Sequence, residues 1–231
     1  VLDPHNHLAY NNWGATLRIM GRFDEAVDRF EQSLRIFPDN PDALTNLGTT
    51  LKELNRLDEA IAFLERSLAL KPSSHAACYN LAKTFELQGD IDKAMVYHRK
   101  AITIKPDFHK AHFNLGLLMI EQGLLGDGLE HYRWAVQELP DSPTDHQNLL
   151  VFLNYSNIGL ADIFAEHLRW GERHAARYTV DIPPYLNNRN PNRRLRIGYV
   201  SPDFRLHAVA LFAEPILANH DKSQVEIFCY A

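Results

Sequence analysis

The sequence predicts a mostly α protein: an α-solenoid of stacked helix pairs, followed by the first βαβ unit of a truncated α/β domain. Three series of residues, each stepping by 34, carry most of that expectation. Prolines recur at Pro4, Pro38, Pro72, Pro106 and Pro140. Trp13-Gly14, Leu47-Gly48, Leu81-Ala82 and Leu115-Gly116 form the second series, and Ala26, Ala60, Ala94 and Gly128 the third. Self-similarity at one fixed period marks a repeat architecture, in which each unit buries its apolar face only against its neighbours.

The units are 7–40, 41–74, 75–108 and 109–142, with a partial unit at 143–155 and the tail of an earlier one at 1–6, so the chain is expected to start inside a longer array. Within 41–74, Leu44, Leu47 and Leu51 fall at spacings of three and four, one face of a first helix. After Asn55, the residues Ala60, Leu64 and Leu68 form the face of a second, which Pro72 ends. Gly48 and Ala60 let the two backbones approach. Three positions depart from the pattern: Ala82 replaces the first glycine, Gly128 the second-helix alanine, and His98 an aromatic residue. A glycine inside a helix costs about 1 kcal/mol against alanine, so the fourth unit is expected to be looser.

The 34-residue phase reaches Asn148-Leu149 and then fails. Residues 156–181 are read as a capping segment built on one amphipathic helix over 160–178, with Ile163, Phe164, His167 and Trp170 on its apolar side. Residues 182–194, with Pro183-Pro184, four asparagines and three arginines, have a linker composition. Residues 195–231 then read as strand (195–200), turn (201–205), helix (207–219) and strand (225–230), the opening of a parallel sheet that is incomplete on its own.

Composition narrows the function. In 231 residues, 45% hydrophobic, 24 Lys+Arg stand against 29 Asp+Glu, for a net charge of −5. That is enough apolar content for a core, and too little positive charge to make nucleic-acid binding the main task. The two cysteines, Cys78 and Cys229, match no disulfide or zinc pattern. No apolar run approaches the roughly 18–20 residues of a membrane span. These features point to a soluble, cytoplasmic protein with no membrane or nucleic-acid partner. His109 and His112, and His5 and His7, are read as surface residues rather than metal ligands, because no carboxylate or cysteine joins either pair. No metal is expected. Arg189, Arg193, Arg194 and Arg196 fit a solvated linker as well as an anionic partner.

Two sets of residues are candidates for function. Asn12, Asn46, Asn80, Asn114 and Asn148 fall at one phase of the repeat, hence in a line along one surface of the solenoid. An amide there can donate to one peptide carbonyl and accept from one peptide N–H, holding an extended acceptor by its backbone. It can also brace neighbouring helices, and the sequence leaves both readings open. The second set is Ser201, Asp203 and His207, at the carboxyl end of the first strand and the start of the helix, where open α/β sheets bind ligands. No G-x-G-x-x-G follows that strand. A histidine at a helix N-terminus is held neutral, able to exchange a hydrogen bond with a sugar hydroxyl or phosphate oxygen. Capping or packing at the helix start is the alternative for His207.

The period and the order of marker residues over 7–142 resemble the tetratricopeptide repeat. Leu195-Arg196-Ile197-Gly198-Tyr199-Val200-Ser201-Pro202-Asp203-Phe204-Arg205-Leu206-His207 resembles the protein O-linked N-acetylglucosaminyltransferases. So do Phe212-Ala213-Glu214-Pro215, His220-Asp221 and Val225-Glu226-Ile227-Phe228-Cys229-Tyr230. The plant SPINDLY proteins, which share the architecture and transfer fucose, are similar too. The resemblance implies that the βαβ unit opens the first Rossmann-like lobe of a GT-B glycosyltransferase. That enzyme moves N-acetylglucosamine from UDP-GlcNAc to Ser or Thr of acceptor proteins, without cofactor or metal. It implies an active-site position for His207, an acceptor-binding groove lined by the asparagine ladder, and donor-binding residues beyond 231. It also implies that residues 1–231 alone are inactive. Ala208 and Ala210 stand where relatives carry hydroxyl residues, which puts the acceptor contacts there in doubt. A non-catalytic repeat scaffold is the alternative of a different class.

Overall fold

The computed structural model describes residues 6–178, 190, 193–201 and 208–230. The chain divides into two units, Val1–Val180 and Asp181–Ala231. In the first, α1 (His7–Ile19) pairs with α2 (Phe23–Ile36), α3 (Pro41–Glu53) with α4 (Leu57–Leu70), α5 (His75–Gln88) with α6 (Ile91–Ile104), and α7 (His109–Glu121) with α8 (Leu125–Glu138). Each pair turns through a left-handed residue: Gly21, Asn55, Gly89 and Gly123, with φ of 74°, 58°, 84° and 82°. These also step by 34, and only glycine or asparagine takes that conformation readily. The second helix of each pair packs on the first helix of the next. First helices also approach one another, α1 with α3 and α3 with α5. The array therefore curves with its first helices inside. The helix pairs are those of the expected tetratricopeptide solenoid.

Caps recur with the same step. Asn6, Asn40, Ser74 and Ser142 accept from backbone N–H groups at the starts of α1, α3, α5 and α9 (Pro143–Leu153). At the start of α7 that place is taken by Phe108, whose side chain makes no capping bond. A missing cap costs about 1 kcal/mol, so α7 forgoes a local stabilisation that the other first helices have.

The third series sits where backbones meet. Ala26, Ala60 and Ala94 are fully buried. At Gly128 the approach is closer than alanine allows: an added Cβ would lie 2.6 Å from the Gly116 carbonyl oxygen and 2.5 Å from Ile120 Cγ1. Propensity alone predicts a looser fourth repeat, whereas the structure shows Gly128 required by the α7–α8 crossing.

The same repeat holds a histidine pair, His112 buried and His131 half-buried. His112 is 8% exposed and stacks on Trp134 with centroids 3.7 Å apart. This corrects the reading of His112 as a surface residue, because the phase that makes Leu115 and Met119 core residues also turns His112 inward. Its Nε2 lies 3.0 Å from the Pro106 carbonyl, which only accepts, so Nε2 carries the proton. Its Nδ1 then accepts from Nδ1–H of His131, 2.9 Å away. Burial, reinforced by His112 and Arg99, lowers the His131 pKa from 6.5 to about 4.

Beyond α9, α10 (Leu160–Trp170) runs into a π-helical turn, Gly171–Ala175, and a 3-10 turn, Ala176–Tyr178. The expected single helix over 160–178 is thus interrupted at Gly171. Its buried face matches the expected one at Ile163 and Trp170 but not at Phe164 and His167. Phe164 is 64% exposed and His167 is exposed, while Ile163 and His174 are buried. Polar contacts explain the rotation. Buried His146 on α9 meets Glu166 Oε1 through Nε2 at 2.9 Å and His174 Nε2 through Nδ1 at 3.3 Å, and Trp170 Nε1 donates to the Pro143 carbonyl at 3.3 Å. Glu166 also pairs with Arg169. Ile163, Glu166, Trp170 and His174 therefore form the docking face, and α10 covers the apolar surface of α9.

In the second unit β1 (Leu195–Val200), α11 (Ala208–Ala218) and β2 (Val225–Tyr230) form the expected βαβ unit. The strands are parallel, in register from Leu195↔Val225 to Val200↔Tyr230. Leu211, Phe212, Val200 and Tyr230 are exposed. No described helix is long and apolar enough to cross a membrane.

Two outcomes are expected. Gly128→Ala should lower stability by about 1–3 kcal/mol, as overpacking does, despite its better helix propensity, and thermal unfolding measures it. A histidine with a depressed folded pKa stabilises the fold above its unfolded pKa and loses that contribution as pH falls toward the folded value. Melting temperature should therefore drop between pH 6.5 and 4, and His131→Gln should flatten that slope.

Candidate functional site

All five ladder asparagines lie on first helices, α1, α3, α5, α7 and α9, on the inner side of the array. The structure separates them by partner. Asn46 Nδ2 donates to Asn11 Oδ1 at 3.0 Å, and Asn114 Nδ2 donates to Tyr79 Oη at 3.1 Å. Both bonds reach back 35 residues, to the position just before the preceding ladder asparagine. For Asn80 that position is Thr45, whose hydroxyl already bonds the Pro41 carbonyl and Ser67 Oγ. Asn80 turns instead to the Ala76 carbonyl in its own helix, at 3.0 Å. For Asn148 it is Phe113, which offers no polar atom. The Asn148 and Asn12 side chains meet no protein partner among the described residues.

Bracing and ligand capacity thus coexist. Asn46, Asn80 and Asn114 each use one N–H, leaving the second N–H and the carbonyl oxygen without a protein partner among the described residues. An amide in that condition can both accept from and donate to an extended main chain. Asn11 and Tyr79, the bracing partners, were not among the sequence-predicted residues, although they sit at a fixed phase of the repeat and that phase was the available signal.

Beside Asn114 the inner face opens into a hollow of about 630 Å³. Its walls include Tyr79, Phe108, Phe113, Leu139, Lys105 and Asp145. Phe108 is held edge-on by His75 and Tyr79, with centroids 5.0 and 5.2 Å away.

In the second unit, Ser201 directly follows β1, its N–H donating to the Tyr230 carbonyl at 3.0 Å. Asp203 and His207 lie outside the described residues, as do Arg189 and His5. Arg196 reaches Glu226 at 3.4 Å across the strand pair and sits over the Phe228 ring at 4.9 Å. Arg194 Nε donates to the Val225 carbonyl at 3.2 Å. Both arginines thus lie on the surface of the strand pair, where these contacts are solvent-exposed. Among the described residues no group of three or more His, Cys, Asp or Glu could hold a metal ion.

The split ladder has a measurable consequence. Asn114→Ala removes a bond between repeats and should cost about 0.5–1.5 kcal/mol in chemical denaturation. Asn148→Ala removes none and should stay within about 0.5 kcal/mol of the parent, the usual range at such sites.

Comparisons with known proteins match segments of the repeat array and of the βαβ unit. Residues 7–73 and 75–108 match tetratricopeptide-repeat families, and residues 174–231 match glycosyl transferase family 41. The SPINDLY protein of Arabidopsis thaliana, named as a probable UDP-N-acetylglucosamine–peptide N-acetylglucosaminyltransferase, is 39% identical over 89 residues, 37% of this chain and 9% of the relative. The UDP-N-acetylglucosamine–peptide N-acetylglucosaminyltransferase of Caenorhabditis elegans is 54% identical over 39 residues, 17% of this chain and 3% of that protein. The chain therefore spans under a tenth of these relatives' length. Among solved structures, MamA superposes with a TM-score of 0.66 at 20% identity, over 78% of this chain and 97% of its own, a likeness of fold alone. Tetratricopeptide-repeat models thus match the first three helix pairs, and a glycosyl transferase family 41 model matches the segment that contains the βαβ unit.

Proposed function

We propose that the protein is an O-glycosyltransferase that transfers N-acetylglucosamine from UDP-GlcNAc to Ser or Thr hydroxyls of acceptor proteins, and that the repeat groove holds the acceptor. The observation that carries this reading is the coupling, in one chain, of a family 41 segment to a line of amides with unused donors and acceptors. Backbone recognition suits an enzyme with many acceptors, because it leaves the acceptor's side chains largely unread. His207 is assigned to the active site. A neutral imidazole in that role would accept a hydrogen bond from the attacking hydroxyl or donate one to the departing diphosphate. Fucose is the alternative sugar, on the resemblance of the Val209, Phe212 and Glu214-Pro215 pattern to SPINDLY-like members.

The test is intact-mass spectrometry of a protein acceptor incubated with the full-length protein and either UDP-GlcNAc or GDP-fucose. A gain of one N-acetylhexosamine is expected with the first donor, reduced more than tenfold by His207→Ala. Asn80→Ala with Asn148→Ala should lower acceptor modification while leaving donor hydrolysis intact. No gain with either donor, from folded protein that still binds peptides, overturns the enzyme in favour of a scaffold.

A further inference from the structure

The ladder repeats along the groove, but the residues around it do not. At the phase just before each ladder asparagine stand Asn11, Thr45, Tyr79, Phe113 and Gln147. At the phase of the first-helix cap stand Asn6, Asn40, Ser74, Phe108 and Ser142. Three aromatic residues therefore occupy positions that the other repeats fill with polar ones, and all three line the hollow, which runs from the third repeat across the fourth to the start of α9. Phe108 is the clearest of them, because it gives up a cap that its counterparts keep. A position that breaks a local rule is where function is expected to outweigh it.

The hollow is also organised in advance. Phe108 is fixed between His75 and Tyr79, and Tyr79 in turn accepts from Asn114. The lysines that line it, Lys105 and Lys110, are matched by Asp107 and Asp145. That balance favours neither an acidic nor a basic occupant, whereas rigid aromatic walls favour a large apolar one. The unused carbonyl and N–H of Asn114 at its edge can hold the main chain on either side of such a side chain.

From this we infer that the hollow is a side-chain pocket which selects a large apolar residue, aromatic above all, in an extended acceptor segment otherwise held by its backbone. The inference rests on the acceptor-groove reading above and deepens it: the groove ignores most side chains and reads one.

Fluorescence anisotropy tests it, with labelled extended peptides of Ser, Thr and Ala carrying a single guest residue, Phe, Ala, Asp or Lys. The full-length protein should bind the Phe guest at least tenfold more tightly than the others. Phe108→Ser restores a capping hydroxyl but loses the ring packing on His75 and Tyr79, so the variant is expected to melt below the parent yet fold, while the Phe preference collapses to within about twofold. Should Phe108→Ser fail to fold, Leu139→Glu, at the 36% exposed rim, is expected to abolish the preference instead. Equal affinity for all guests, with binding still weakened by Asn80→Ala and Asn148→Ala, overturns the pocket and leaves the ladder standing. Absence of binding by any peptide overturns the pocket together with the groove.

Discussion

In each repeat two helices cross at a point where neither can carry a full side chain, and the rest of the array follows from that crossing. A Cβ on Gly48 would lie 2.7 Å from Leu64 Cγ and 3.0 Å from the Ala60 carbonyl, and one on Gly14 would lie 2.8 Å from the Phe30 ring. Close crossing brings Phe30, Leu64 and Tyr132 fully into the interior and fixes the angle of each pair. A crossing repeated every 34 residues stacks the pairs in one sense, and that stacking converts a phase in the sequence into a line on one surface. The fourth repeat carries the constraint furthest, with glycine on both helices at Gly116 and Gly128.

That geometry gives the asparagines two tasks that do not compete. An amide has two N–H donors and a carbonyl, and a bond to the preceding repeat consumes only one of the three. The bracing bond stiffens the inner surface on which a ligand would lie, and ordering the surface beforehand lowers what binding must spend on ordering it later. Where bracing is absent, at Asn12 and Asn148, the whole amide edge is left to the groove.

Polar groups buried at the end of the array serve a different purpose. His146 and His174 are nearly inaccessible, and the chain from His174 through His146 to Glu166 and Arg169 ties the cap to α9 in one register. Apolar contact alone could have docked α10 by its Phe164 and Leu168 side, which stands exposed. Buried histidines need partners and an apolar ring does not, so the side with the carboxylate turned inward.

The sequence by itself determined the repeat, its period, the helix pairs, the ladder and the resemblance of residues 195–207 to a glycosyltransferase. Each depends on spacing along the chain, and spacing along a helix fixes which face a residue occupies. Only the tertiary structure decided which amides are braced, because that turns on whether the residue 35 positions earlier has a free polar atom, as Asn11 and Tyr79 do and Thr45 and Phe113 do not. It also decided that Gly128 is required rather than tolerated, that His112 is inside, which side of α10 docks, and that Tyr79, Phe108 and Phe113 share one hollow. These are matters of distance between residues on different helices, and such distances are set by the crossing angles of whole repeats rather than by the local pattern of any one.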